Sequence, residues 1–170
     1  MCENEFWKII EQAVEISKND PEKKEEVLRE KLEKLTPEEI FEFAKIFDEK
    51  DAKAYRWDLW GAAYIIGGGC GDDSFMDFRA SLICMGKEIY TNAIKDPDSL
   101  ANIEMDNPEE DLFFEGYQYL HFSIYEDKTD NDMPSTEVSF PEDPEGEEWS
   151  EESEDDLQKI CPKLFEIYPI

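Results

Sequence analysis

Apolar positions along this chain recur at helical spacing far more often than they alternate. Phe6, Ile9, Ile10, Ala13 and Val14 share one face, with Trp7 beside it, and predict an amphipathic helix over 4–18. Asn19-Asp20-Pro21 stops that helix and starts another, with Asp20 placed to cap and Pro21 at the first helical position. Leu28, Leu32 and Leu35 give the second helix only a thin apolar seam, the pattern of a peripheral element. Thr36-Pro37-Glu38-Glu39 then combines a capping box with a first-turn proline. From there Ile40, Phe43, Ala44, Phe47, Asp51, Ala54, Leu59 and Ala62 keep a helical repeat. The repeat predicts a long central helix of ~45 Å at 1.5 Å per residue. Its apolar face is interrupted by charge near Asp48 to Asp51, the place where a break is expected. After Arg56 the residues are apolar almost all round, as in a buried helix.

Gly67-Gly68-Gly69 must end this helix, because glycine accepts left-handed dihedrals without a Cβ clash. Asp72, Asp73 or Ser74 is placed to cap the next one, whose buried stripe is Phe75, Phe78, Leu82 and Met85. Gly86 bends or interrupts it before Ile89, Tyr90, Ala93 and Ile94. Asp96-Pro97-Asp98-Ser99-Leu100 is a fresh stop and start. Asn107-Pro108-Glu109-Glu110 opens a last long helix with Leu112, Phe113, Tyr117, Leu120 and Ile124 inward. The expected fold class is all-α: a single-domain helical bundle built around a long helix, a glycine-rich turn and a capped second helix.

Composition shifts after Lys128. Residues 129–156 hold Pro134, Pro141 and Pro144 in a dense acidic run without lysine or arginine, which predicts an extended, partly mobile arm. Val138-Ser139-Phe140 is too short and isolated to make a sheet. Ile160, Leu164, Phe165, Ile167 and Tyr168 suggest that the C-terminus docks back on the domain. The expected division is a helical domain over 1–127, an acidic arm over 128–156 and a docking segment over 157–170. One domain of this length buries roughly two thirds of its extended surface and needs no staples.

Charge changes the picture most. Forty-five acidic residues against 17 basic ones give a net charge of −28. Such a field repels nucleic-acid phosphate and anionic lipid and attracts basic partners or divalent cations, or else serves solubility alone. Cys2, Cys70, Cys84 and Cys161 are scattered singly and there is one histidine, His121. No metal or cofactor is expected from that set. No basic-then-apolar leader opens the chain and no apolar run reaches the ~20 residues of a membrane span. A cytoplasmic location with reduced thiols is expected.

The candidate chemistry is concentrated at Arg56, Trp57, Asp58, Trp60, Cys70, Asp72, Asp73 and Arg79. Trp57 and Trp60 are helical neighbours, both expected in the core, with Arg56 four residues before Trp60 and able to stack on it. Asp58 lies in the most apolar stretch and requires a counter-charge, from Arg56 or Arg79. Asp72 and Asp73 admit three readings: helix caps, ion-pair partners of Arg79, or a functional carboxylate pair. Cys70, before a helix N-terminus, is either a dipole-activated thiol or a buried turn residue. A phosphate-cradling reading of Gly67 to Gly71 fails, since no strand precedes it and no lysine follows.

These same residues carry a resemblance. Phe6-Trp7, Tyr55-Arg56-Trp57-Asp58-Leu59-Trp60-Gly61-Ala62-Ala63-Tyr64, Gly68-Gly69-Cys70, Asp72-Asp73, Phe78-Arg79 and Asp96-Pro97-Asp98-Ser99-Leu100 resemble an uncharacterised bacterial family, domain of unknown function 4240. The likeness covers approximately the first 125 residues and departs from the family pattern at Gly67, Gly71, Ala80 and Ser81. The resemblance supports the domain and the turn as its focal point, and carries no function over. Two functions stay open: an acidic protein-interaction module for a basic partner, or a small-ligand binder or enzyme with a pocket at the turn between residues 57 and 79.

Overall fold

Ten α-helices and two 3-10 turns, joined without a β-sheet, form one all-α body in the computed structural model, which describes residues 1–170. The first three helices lie where the apolar spacing places them, and the second and third start at their capping signals. α1 (Glu3–Ser17) buries Phe6, Trp7, Ile10 and Ala13. α2 (Pro21–Leu32) starts where Asp20 accepts the Lys23 N–H at 2.7 Å. α3 (Pro37–Ala54) starts at the capping box, in which Glu39 N–H donates to Thr36 at 3.2 Å and Thr36 N–H to Glu39 at 2.8 Å. The box pairs two amides, those of Thr36 and Glu39, at the start of the helix.

The long central helix is divided, and not at the charged positions. α3 stops at Ala54 and α4 (Trp57–Gly67) begins after an extended Arg56, with φ −140° and ψ 142°. Neither proline nor glycine marks this break at Tyr55-Arg56. A tertiary contact holds it: Glu145 of the acidic arm lies parallel to Arg56 in a single β-bridge. Glu145 N–H donates to Tyr55 C=O at 2.9 Å and its C=O accepts the Trp57 N–H at 2.9 Å. Two peptide groups that the break deprives of helical partners are thereby paired.

α4 ends at Gly68 and Gly69, both with positive φ, where Gly69 N–H returns to Tyr64 C=O at 2.9 Å. α5 (Asp72–Cys84) is unbroken core from Phe78 to Cys84. Gly86, at φ 103°, separates it from α6 (Lys87–Lys95) as its position suggested. A 3-10 turn over Pro97–Asn102 follows, capped by Asp96. The last long helix is also in pieces: α7 (Pro108–Leu112), a 3-10 turn over Glu115–Tyr117, and α8 (Leu120–Thr129). The interruption is fixed from the core side, where the Ser81 hydroxyl accepts the Phe114 N–H at 3.1 Å.

Residues 130–149 run extended over the body without a helix. α9 (Glu154–Ile160) and α10 (Pro162–Ile167) then bury Leu157, Cys161 and Leu164, while Ile167 stays exposed. The buried Asp98 carboxylate accepts the N–H groups of Lys163 at 3.0 Å and Leu164 at 2.9 Å, which anchors the start of α10. One apolar cluster runs from Phe6 through α4 and α5 to Leu164. No helix is long and apolar enough to cross a membrane.

Candidate functional site

The start of α4 presents Trp57 and Trp60 on one side, and their indoles stack at 5.3 Å with an 11° tilt. Trp60 continues the stack onto Phe75 of α5 at 4.7 Å and 12°. Its Nε1 donates to Cys70 C=O at 2.9 Å, which ties α4 to the glycine turn. Both indoles are half-buried rather than core, because they line an open groove. Trp149, from the arm, stands edge-on to Trp57 at 6.2 Å and donates Nε1 to Trp57 C=O at 2.7 Å. These three indoles, with Cys70, Gly71, Asp72, Glu148, Ser150, Glu151 and Asp156, line a groove of about 640 Å³ that contains no basic side chain.

Arg56 does not stack on Trp60. Its guanidinium forks onto Asp58, Nε to Oδ1 and Nη2 to Oδ2 at 3.0 Å each, with Glu145 at 3.3 Å. The extended backbone at Arg56 swings this side chain past the first turn of α4, and the bidentate carboxylate wins over a ring face. Asp58 is half-buried, and its counter-charge comes from Arg56, not from Arg79.

Arg79 belongs to a different pair. It is 3 % exposed, and its Nε donates to Asp51 Oδ1 of α3 at 2.7 Å. Tyr55, Phe75 and Phe140 surround the guanidinium carbon at 4.9, 4.8 and 5.6 Å from their ring centroids. Burial pushes the Asp51 carboxyl up, and the neighbouring Arg79 charge only partly offsets it. A second cavity, of about 340 Å³, opens between Asp51, Tyr55, Phe75, Arg79 and the arm residues Phe140 and Pro141.

Asp72 and Asp73 are exposed in the first turn of α5, behind an N-cap at Gly71 that makes no side-chain bond. They are neither caps nor partners of Arg79; they sit where the helix dipole favours negative charge. Nowhere do three His, Cys, Asp or Glu side chains converge as a metal would require. Cys70 is buried, and burial raises its thiol to about 12, so the dipole of α5 does not activate it. Cys70 sits in the turn as a small buried side chain. Asp77, one turn along α5, is pushed up to about 6, first by burial and then by Glu115 and Asp73. His121 lies in the core among Phe43, Phe47 and Phe122, away from the groove.

The structure therefore brings together Trp57, Trp60, Cys70 and Asp72, and sets Arg56–Asp58 and Arg79 in separate pairs. Sequence reasoning missed Asp51, Phe140, Glu145 and Trp149 as members of the neighbourhood. A signal existed for two of them. Asp51 falls on the apolar face of α3, and Trp149 is a lone indole in an acidic run.

A family model described as "Protein of unknown function (DUF4240)" matches residues 1–127. The chain belongs to the DUF4240 family. No curated protein and no solved structure matches it. The DUF4240 match ends inside α8, so Phe140, Glu145 and Trp149 approach the site from beyond the matched residues.

Proposed function

We propose that this DUF4240 protein is an interaction module that receives a cationic side chain of a basic partner in the tryptophan groove. One observation carries the reading: half-exposed stacked indoles share that groove with Asp72, Glu148, Glu151 and Asp156 and with no cation. An indole face attracts a lysine or arginine head by about 0.5–2 kcal/mol, more as the contact desolvates. Exposed carboxylates each add about 1 kcal/mol or less. The field of a −28 chain contributes mainly to the rate of encounter and to exclusion of anionic competitors. A cytoplasmic setting belongs to the same proposal. Acid–base or thiol catalysis at the turn has less support, since Cys70 is held protonated and no histidine faces it.

Calorimetric titration with a lysine- and arginine-rich peptide tests this at two salt concentrations. Binding is expected to weaken as salt rises. Glu148→Gln with Glu151→Gln should weaken it several-fold, and Trp57→Leu should weaken it further. Glu22→Gln with Glu30→Gln, equal in charge but on α2, should leave it nearly unchanged. Equal losses from the two double variants would reduce the interaction to bulk charge and refute the groove.

A further inference from the structure

Arg79 carries hydrogen-bonding capacity that the fold leaves unused. A guanidinium offers five N–H donors in a fixed fork, and here only Nε is engaged, by Asp51 at 2.7 Å. The Nη nitrogens donate to no protein acceptor, although the side chain is only 4 % exposed. They are not sealed in packed atoms either, since no Arg79 nitrogen is both fully buried and unpaired. Arg79 lines the cavity of about 340 Å³. Holding a buried cation with idle donors is costly. Idle donors that open on a preformed cavity are a fork held ready for an acceptor with two oxygens.

The surrounding charge selects the acceptor. Asp51 and Asp72 both line the cavity, and the whole chain is strongly negative, so a simple anion is repelled. A carboxylate that brings its own positive charge is not. The remaining walls are apolar: Tyr55, Phe75 and Phe140, with Met76 at the side. We propose that this cavity binds a free α-amino acid with an apolar side chain. Its carboxylate lies on the Arg79 Nη donors, its ammonium faces Asp72, and its side chain packs against Tyr55, Phe75 and Phe140. The volume lies near the low end of small-molecule sites, about 300–1,000 Å³, and suits one amino acid. This site goes beyond the basic-partner reading and shares only Trp60 and Asp72 with the tryptophan groove.

Calorimetry on the full chain with L-phenylalanine tests the proposal, with 3-phenylpropionate as the probe that lacks the ammonium. The expected result is saturable L-phenylalanine binding with Kd below about 1 mM, and 3-phenylpropionate at least about tenfold weaker, a difference of about 1.4 kcal/mol. Arg79→Lys, with its fold checked by melting, should abolish binding. Asp72→Asn, an exposed change that does not threaten the fold, should weaken L-phenylalanine while leaving 3-phenylpropionate no weaker. Phe140→Ala should weaken both. The proposal is overturned if L-phenylalanine gives no heat at about 10 mM, a level that would detect even millimolar affinity. It is equally overturned if 3-phenylpropionate binds as tightly, or if Asp72→Asn and Phe140→Ala change nothing.

Discussion

At the scale of single residues, three titratable groups, Arg79, Asp51 and His121, make the electrostatics of the fold testable. Arg79 and Asp51 share a hydrogen bond of 2.7 Å between α5 and α3, under three aromatic rings. Breaking a buried pair from one side costs about 3–5 kcal/mol, because the other charge stays behind unpaired. Asp51→Asn and Arg79→Met are therefore each expected to destabilise strongly. The double variant should lose less than the sum in a denaturant double-mutant cycle. Additive losses would mean that the two do not interact. Asp58 paired with Arg79 in the same cycle should show no coupling, since Arg56 holds Asp58.

His121 is the third group, 1 % exposed with its Nε2 unpartnered, and burial lowers its pKa to about 3. The folded value lies below the ordinary 6.5, so the folded state binds the proton less tightly than the unfolded chain. Its share of stability is complete above pH 6.5 and is lost as pH falls from 6.5 toward 3, by as much as about 5 kcal/mol at about 1.36 per unit. His121→Phe should be neutral or stabilising at pH 7, because it removes an unpaired buried nitrogen. It should also flatten the fall of melting temperature between pH 6.5 and 4. An unchanged acid slope in His121→Phe would assign acid sensitivity to the carboxylates instead.

At the scale of elements, the break between α3 and α4 and the arm that fills it are one feature. Thr136 bonds Asp48, Phe140 packs on Tyr55 at 5.4 Å, Glu145 bridges Tyr55 and Trp57, and Trp149 seats against α4. Gly61 permits that seat, since a Cβ there would meet Trp149 Nε1 at 3.3 Å and Leu157 Cδ2 at 3.5 Å. Alanine in a helix interior ordinarily gains about 1 kcal/mol over glycine. Trp149 cannot yield without losing its bond to Trp57 C=O, so Gly61→Ala is expected to lower the melting temperature instead. A rise would show that the arm sits loosely on α4. This element also marks where the sequence stopped being legible. Capping boxes at Thr36 and the cap at Asp20 are local chemistry, and they predicted helix starts that the structure has. The break at Tyr55-Arg56 has no local signal, because its backbone partners come from Glu145, some 90 residues on. The same holds for Arg79, whose partner Asp51 is set by how α5 crosses α3 and not by spacing. Asp72 and Asp73 misled because a carboxylate suits both a cap and a first turn, and only the backbone at Gly71 tells them apart.

At the scale of the whole molecule, the proposed reading assigns the acidic surface and the tryptophan groove to one class of partner, a basic one, with the groove as the address. The chain's 4 tryptophans make that address directly observable. Trp57, Trp60 and Trp149 line the groove, whereas Trp7 is buried in α1 with its Nε1 on Glu3 at 3.2 Å. Each indole N–H gives one signal in a nitrogen–proton correlation spectrum. Titration with a lysine- and arginine-rich peptide at low salt is expected to shift the Trp57, Trp60 and Trp149 signals together and saturably, and to leave Trp7 in place. Saturable binding in which all four signals stay still, or Trp7 moves as far as the others, would contradict the groove as the site of recognition.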